Sequence, residues 1–133
     1  PLGRACRDIG SDPTFMVTPT VTDERLERIL KNAGGFLYMV ALLGVTGARG
    51  DLHPDILRLL KRVRGRTGLP LCAGFGISRP AHVRTLAGSG ADGAIVGSAI
   101  VDIVARNLEN RKRMVREITE YVKRMKAETR PGG

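Results

Sequence analysis

The chain has 133 residues, enough for one compact domain with a real core and too few for two ordinary ones. Apolar residues make up 42% and charged residues 26%, which argues against disorder; aromatics at 4% and no Trp leave an aliphatic core. The net charge of +9 invites a nucleic-acid reading, but +5 of it lies between Arg106 and Arg130, where nine Lys/Arg are interleaved with Glu109, Glu117, Glu120 and Glu128. No stacking aromatics accompany those charges, so a solvated helix face is expected and no nucleic-acid partner. There is neither a leader pattern nor a run of about 18 apolar residues, so no membrane is expected and a reducing cytoplasm is the simplest location. Cys6 and Cys72 match no metal or redox spacing, and His53 and His82 lack neighbours at ligand spacing, so no metal is expected. The chain opens on Pro1 rather than Met, which leads us to expect sequence upstream.

In chain order, Phe15-Met16-Val17 reads as a buried strand ended by Thr18-Pro19-Thr20. Thr22 offers an N-cap hydroxyl with Asp23 and Glu24 in the first turn. Leu26, Ile29, Leu30 and Ala33 follow at helical spacing, and Gly34-Gly35 ends the helix. Phe36 to Leu43 reads as a second strand and Gly44 to Gly50 as a flexible loop. Pro54 opens a helix with Ile56, Leu59, Leu60 and Val63 on one face. Leu69 to Ala73 is a third strand, followed by the turn Gly74-Phe75-Gly76-Ile77-Ser78, with Ser78 expected to cap a helix from Pro80 to Ala87. Cys72, within that strand, is expected to be an inert core thiol. Gly93 to Val96 is a fourth, short strand leading into Gly97-Ser98 and a helix from Ala99 to about Asn107. The last helix begins near Arg111 with a core stripe of Met114, Val115, Ile118, Tyr121, Val122 and Met125. Arg113–Glu117 and Glu120–Arg124 are spaced for pairing on its outer side.

Four strand–helix units at a spacing of about 25 to 30 residues imply an α/β protein with a parallel sheet. An open doubly wound sheet and part of a (β/α)8 TIM barrel both fit. The glycine-rich ends of the third and fourth strands favour the barrel, whose phosphate site is built by the loops after strands 7 and 8 and a short extra helix. Residues 1–133 then read as the C-terminal half of one (β/α)8 domain, supplying about strands 5 to 8 and starting near the helix before strand 5. Gripping a phosphate without a metal takes several backbone N–H groups aimed at one spot. Gly74-Phe75-Gly76 supplies a tight turn, and Gly97-Ser98 supplies an N–H and a hydroxyl at a helix N-terminus. The two lie 21 residues apart, about one βα unit, which puts them side by side on neighbouring strands. The loop Gly44-Val45-Thr46-Gly47-Ala48-Arg49 has two glycines and no apolar anchor, as a closing loop would.

These motifs resemble one family. Gly44-Val45-Thr46-Gly47-Ala48-Arg49, Gly74-Phe75-Gly76-Ile77-Ser78 and Ala91-Asp92-Gly93-Ala94-Ile95-Val96-Gly97-Ser98-Ala99-Ile100-Val101, in this order, are similar to the tryptophan synthase α subunit. Thr22-Asp23-Glu24-Arg25-Leu26 and Gly35-Phe36-Leu37-Tyr38 extend the resemblance from about Phe15 to the end. It implies a (β/α)8 lyase that cleaves indole-3-glycerol phosphate to indole and glyceraldehyde 3-phosphate in tryptophan biosynthesis. It also implies a β-subunit partner in an αββα assembly, with pyridoxal phosphate belonging to that partner and no cofactor in this chain. By the same resemblance Gly47, Gly76, Gly97 and Ser98 hold the substrate phosphate, Tyr38 and Phe75 lie in or beside the pocket, and Thr46 belongs to the mobile loop. The family's catalytic Glu and Asp come from its first two strand–loop units and have no counterpart here. Asp51 and Asp92 do not stand where those acids belong, so no catalytic residue is assigned and the chain by itself is expected to be inactive. Two alternatives remain at this stage: a non-catalytic half-barrel, as a homodimer, that binds a phosphorylated metabolite, and a related barrel gripping another phosphorylated substrate.

Overall fold

The computed structural model describes residues 2–40 and 52–129 of the protein. A short helix, α1 (Leu2–Asp8), precedes β1 (Phe15–Val17), α2 (Asp23–Asn32), β2 (Leu37–Val40), α3 (Pro54–Arg64), β3 (Leu71–Gly74), α4 (Pro80–Gly88), β4 (Gly93–Ala94), α5 (Ser98–Ala105) and α6 (Arg111–Ala127). The four strands form one sheet in the order β1-β2-β3-β4, and every neighbouring pair is parallel.

That order decides between the two architectures. A doubly wound sheet reverses its strand order at a switch point and carries helices on both faces. Here each strand adds beside the one before it. Right-handed crossovers then put all connecting helices on one face, as in a (β/α)8 barrel. The burial pattern agrees. Val17, Leu37, Met39, Leu71 and Ala73 point to the helix side and are wholly buried against Leu26, Ile56, Leu60 and Val63. The register Met16–Tyr38–Cys72–Gly93 runs along the opposite face. There Met16 is 62% exposed, and Tyr38 and Cys72 are only partly buried.

Local chemistry sets the element ends. The Thr22 hydroxyl accepts from the Arg25 N–H at 3.3 Å and caps α2, as its sequence position implies. His53 caps α3, its Nδ1 accepting from the Asp55 N–H at 3.2 Å, with Pro54 at the first helical position. The third strand starts two residues later than expected. The Leu69 N–H is taken by the Thr67 hydroxyl and Pro70 has none, so pairing begins at Leu71, opposite Leu37. The second strand covers Leu37–Val40 of its expected span, and residues 41–43 lie outside the described residues.

Four expectations need correction. Ser78 does not cap α4: Arg79 occupies the N-cap with no side-chain bond, and the Ser78 N–H is instead held by His82. The apolar stripe of α6 is core only in part. Tyr121 and Met125 are buried, but Val115 and Val122 are 56% and 46% exposed among the described residues. Arg113 pairs with Glu117 at 2.7 Å, whereas no Glu120–Arg124 ion pair forms among the described residues. Cys72 faces the uncovered side of the sheet rather than the helix-packed core. Partial burial, with the nearby Asp92 charge second, pushes its thiol pKa up, which keeps it protonated and inert at neutral pH.

Candidate functional site

The C-terminal ends of β2, β3 and β4 converge on a cleft of about 220 Å³ lined by Tyr38, Phe75, Gly76, Ile77, Ile95, Gly97 and Ser98. The sequence assigns Tyr38, Phe75, Gly76, Gly97 and Ser98 to a site, and the fold brings these five together. Thr46 and Gly47 lie outside the described residues.

Backbone geometry makes the cleft. Phe75 and Gly76 both have positive φ, 76° and 72°. Glycine enters this left-handed region freely, whereas an aromatic residue there costs on the order of 1–3 kcal/mol and persists only where its surroundings over-determine it. The paired bend turns the chain sharply away from β3 and leaves Phe75 44% exposed over the cleft. A Cβ built at Gly76 would meet no heavy atom within 4 Å, so open space lies in front of this backbone. At Gly74 the reverse holds: a Cβ would sit 2.7 Å from Cζ of Tyr38. Gly74 lacks a side chain because the Tyr38 ring occupies that place.

The other wall is the start of α5. Gly97 is its N-cap and makes no side-chain capping bond, and a Cβ there would also meet nothing within 4 Å. The first intrahelical bonds run from Ile100 and Val101 to the Gly97 carbonyl at 2.9 and 3.1 Å. The N–H groups of Ser98 and Ala99 precede that ladder, and Gly97 and Ser98 are exposed. Amides, a hydroxyl and the positive end of a helix dipole thus face a turn whose backbone is open to approach. This arrangement suits a phosphate-sized dianion.

No carboxylate lines the cleft among the described residues. Asp92 lies at the opposite, N-terminal end of the strands. Its carboxylate accepts from the Leu71 N–H at 2.8 Å and pairs with Arg64, which also donates to the Leu69 and Gly90 carbonyls at 3.2 Å. This network staples β3 to the turn before β4. Sequence reading missed two residues behind the cleft, His82 and Tyr121, which hold the backbone of Ser78. Tyr121 lies 43 positions from Ser78, and no local pattern connects them.

Comparison with known proteins agrees with this fold. The family model for the tryptophan synthase alpha chain matches residues 1–130. The tryptophan synthase alpha chain of Methanoregula boonei is 55% identical over 117 residues, covering 88% of this chain and 44% of the relative. That of Methanothermobacter thermautotrophicus is 46% identical over 124 residues, 93% and 46% of the respective chains. Among solved structures, the tryptophan synthase α2β2 complex of Pyrococcus furiosus superposes with a TM-score of 0.84 at 31% identity, over 94% of this chain and 49% of that one. Tryptophan synthase from M. tuberculosis superposes at 0.77 with 26% identity, over 98% and 45%. The chain therefore spans about half the length of the relatives it matches, and its four strands are consecutive βα units of their (β/α)8 barrel. With the sheet order, the glycine turns and these matches in agreement, the chain belongs to the tryptophan synthase α chain family.

Proposed function

We propose that this chain is the phosphate-holding, C-terminal half of a tryptophan synthase α-type active site, contributing strands 5 to 8 of the barrel. In this reading Gly76, Gly97 and Ser98, joined by Gly47, hold the phosphate of indole-3-glycerol phosphate. Tyr38 and Phe75 border the pocket, and Thr46 belongs to a loop that closes over it. The observation that carries the reading is the convergence of the Phe75–Gly76 turn and the Gly97–Ser98 helix start on one cleft at the strand ends.

The division of labour follows from the lining. Backbone amides and the α5 dipole bind and orient the phosphate, which fixes the glycerol end of the substrate. Cleaving the bond to indole then needs a general acid and base, and the described cleft offers only the Tyr38 and Ser98 hydroxyls. We assign proton transfer to carboxylates from the first two βα units of a complete barrel. Removing such a general acid or base from a complete barrel costs about 10² to 10⁴ in rate. Lyase activity in tryptophan biosynthesis, with a β-subunit partner that carries pyridoxal phosphate, belongs to that complete assembly in the cytoplasm. A second reading, in which the chain binds a phosphorylated metabolite without turning it over, is favoured by a described cleft that no carboxylate lines. Indole release from indole-3-glycerol phosphate, assayed with and without a β subunit, separates the two.

Calorimetric titration with glycerol 3-phosphate tests the site itself. The chain should bind, and Gly76→Ala should abolish most of that binding, with a loss of about 1 kcal/mol or more in stability because its φ is 72°. Equal affinity in the variant would remove Gly76 from the site.

A further inference from the structure

Ser78, two residues beyond Gly76, is gripped on both sides of its backbone by helices that contribute nothing to the cleft lining. Its N–H donates to Nδ1 of His82 in α4 at 3.2 Å. Its carbonyl accepts from the Tyr121 hydroxyl in α6 at 3.0 Å. Both partners are buried, His82 to 4% exposure and Tyr121 to 9%. Between this anchor and the end of β3 lie the two positive-φ residues, Phe75 and Gly76. An aromatic residue in that conformation needs both flanks fixed. On one flank the β3–β4 ladder does this through Ala73 and Ala94. On the other flank the fixed point is Ser78.

We propose that Tyr121 and His82 are positioning residues that lock the Phe75–Ser78 turn in the shape that presents the Gly76 backbone to a phosphate, coupling the last helix to the cleft. This rests on the phosphate reading above. The Tyr121 ring belongs to the hydrophobic core and would pack there without its hydroxyl, so the hydroxyl serves the carbonyl it meets. Burial raises the Tyr121 pKa, which keeps the hydroxyl protonated and donating. The two helices that supply the clamp are themselves joined. Arg84 of α4 donates to both carboxylate oxygens of Glu128, just past α6, at 2.6 and 2.8 Å.

The test uses the full chain with Tyr121→Phe, His82→Leu and His82→Gln, read by glycerol 3-phosphate titration and by residue-resolved amide exchange. Tyr121→Phe and His82→Leu should each weaken binding about five- to tenfold, the effect of one lost hydrogen bond. Exchange should quicken at Gly76 to Ser78 while β2 and α3 keep their protection. His82→Gln, whose amide oxygen can accept the Ser78 N–H, should restore most of both signals. Unchanged exchange at the turn in Tyr121→Phe and His82→Leu would overturn the proposal, as would loss of protection spread evenly over the chain. If the unaltered chain fails to bind glycerol 3-phosphate, the phosphate reading falls, and the exchange measurement alone still decides the clamp.

Discussion

The two faces of the sheet are built to different standards. On the helix side, Val17, Leu37, Met39, Leu71 and Ala73 are sealed beneath α2 and α3 with no exposure. On the other side, Met16, Tyr38, Cys72 and Gly93 form a row that no described element covers. Parallel sheets are normally buried on both faces. The difference teaches that one face carries the stability of these four units. The other is left open at Met16, Tyr38 and Cys72, as the inward face of a partial barrel would be.

Substitutions on the two faces should therefore differ most. Leu37→Ala, on the sealed face, should cost about 2–5 kcal/mol in urea denaturation, whereas Met16→Ala, on the open face of the neighbouring strand, should stay within about 0.5 kcal/mol. Equal costs would mean that the second face is packed in solution. Next in size is Gly74→Ala. The new methyl meets the Tyr38 ring, and overpacking of this kind costs about 1–3 kcal/mol. It should also weaken glycerol 3-phosphate binding by moving Tyr38; lost stability with full affinity would take Tyr38 out of the pocket.

Gly97→Ala sharpens the comparison at the rim. Its Cβ meets nothing in the protein, so thermal stability should fall only by the roughly 1 kcal/mol that separates Gly from Ala at an N-cap, while phosphate affinity falls more. A melting change without an affinity change would make Gly97 a structural cap only.

The smallest effect concerns pH. Arg84 beside Glu128, Arg113 with Asn107 beside Glu117, and Arg62 with Arg66 beside Asp23 hold these carboxyl pKa values below their ordinary range. Each lowered pKa contributes stability that is present above the unfolded-state value and lost as pH falls through the folded one. Acid titration of stability should thus show a shallow loss below the ordinary carboxylate range, reduced by 0.5 M salt because Asp23 is exposed and Glu117 and Glu128 are only partly buried. Replacing Glu128 with Gln should remove part of that loss. An unaltered acid limb would mean that the Arg84 pair does not form in solution.

Much of this was legible because it is local. Thr22 as a cap, Pro54 at a helix start, and the apolar faces of α2 and α3 need only their neighbours in sequence. The cleft was legible in its glycines, since turns that approach a phosphate need residues without Cβ. What escaped was long-range or backbone-encoded. Phe75 gives no sign in its side chain of its positive φ. Ser78 looks like a helix cap until the His82 imidazole, a turn further on, takes its N–H. The α6 stripe has the spacing of a core helix, but spacing cannot reveal that Val115 and Val122 stay largely exposed among the described residues.

The central claim is that the Phe75–Gly76 turn and the Gly97–Ser98 helix start hold one phosphate between them. The most direct measurement is the amide NMR spectrum of the chain titrated with glycerol 3-phosphate. The account predicts saturable shifts confined to Gly76, Ile77, Ser98 and Ala99, on both walls at a single affinity. Shifts on one wall alone, or only on the basic outer face of α6, would contradict it.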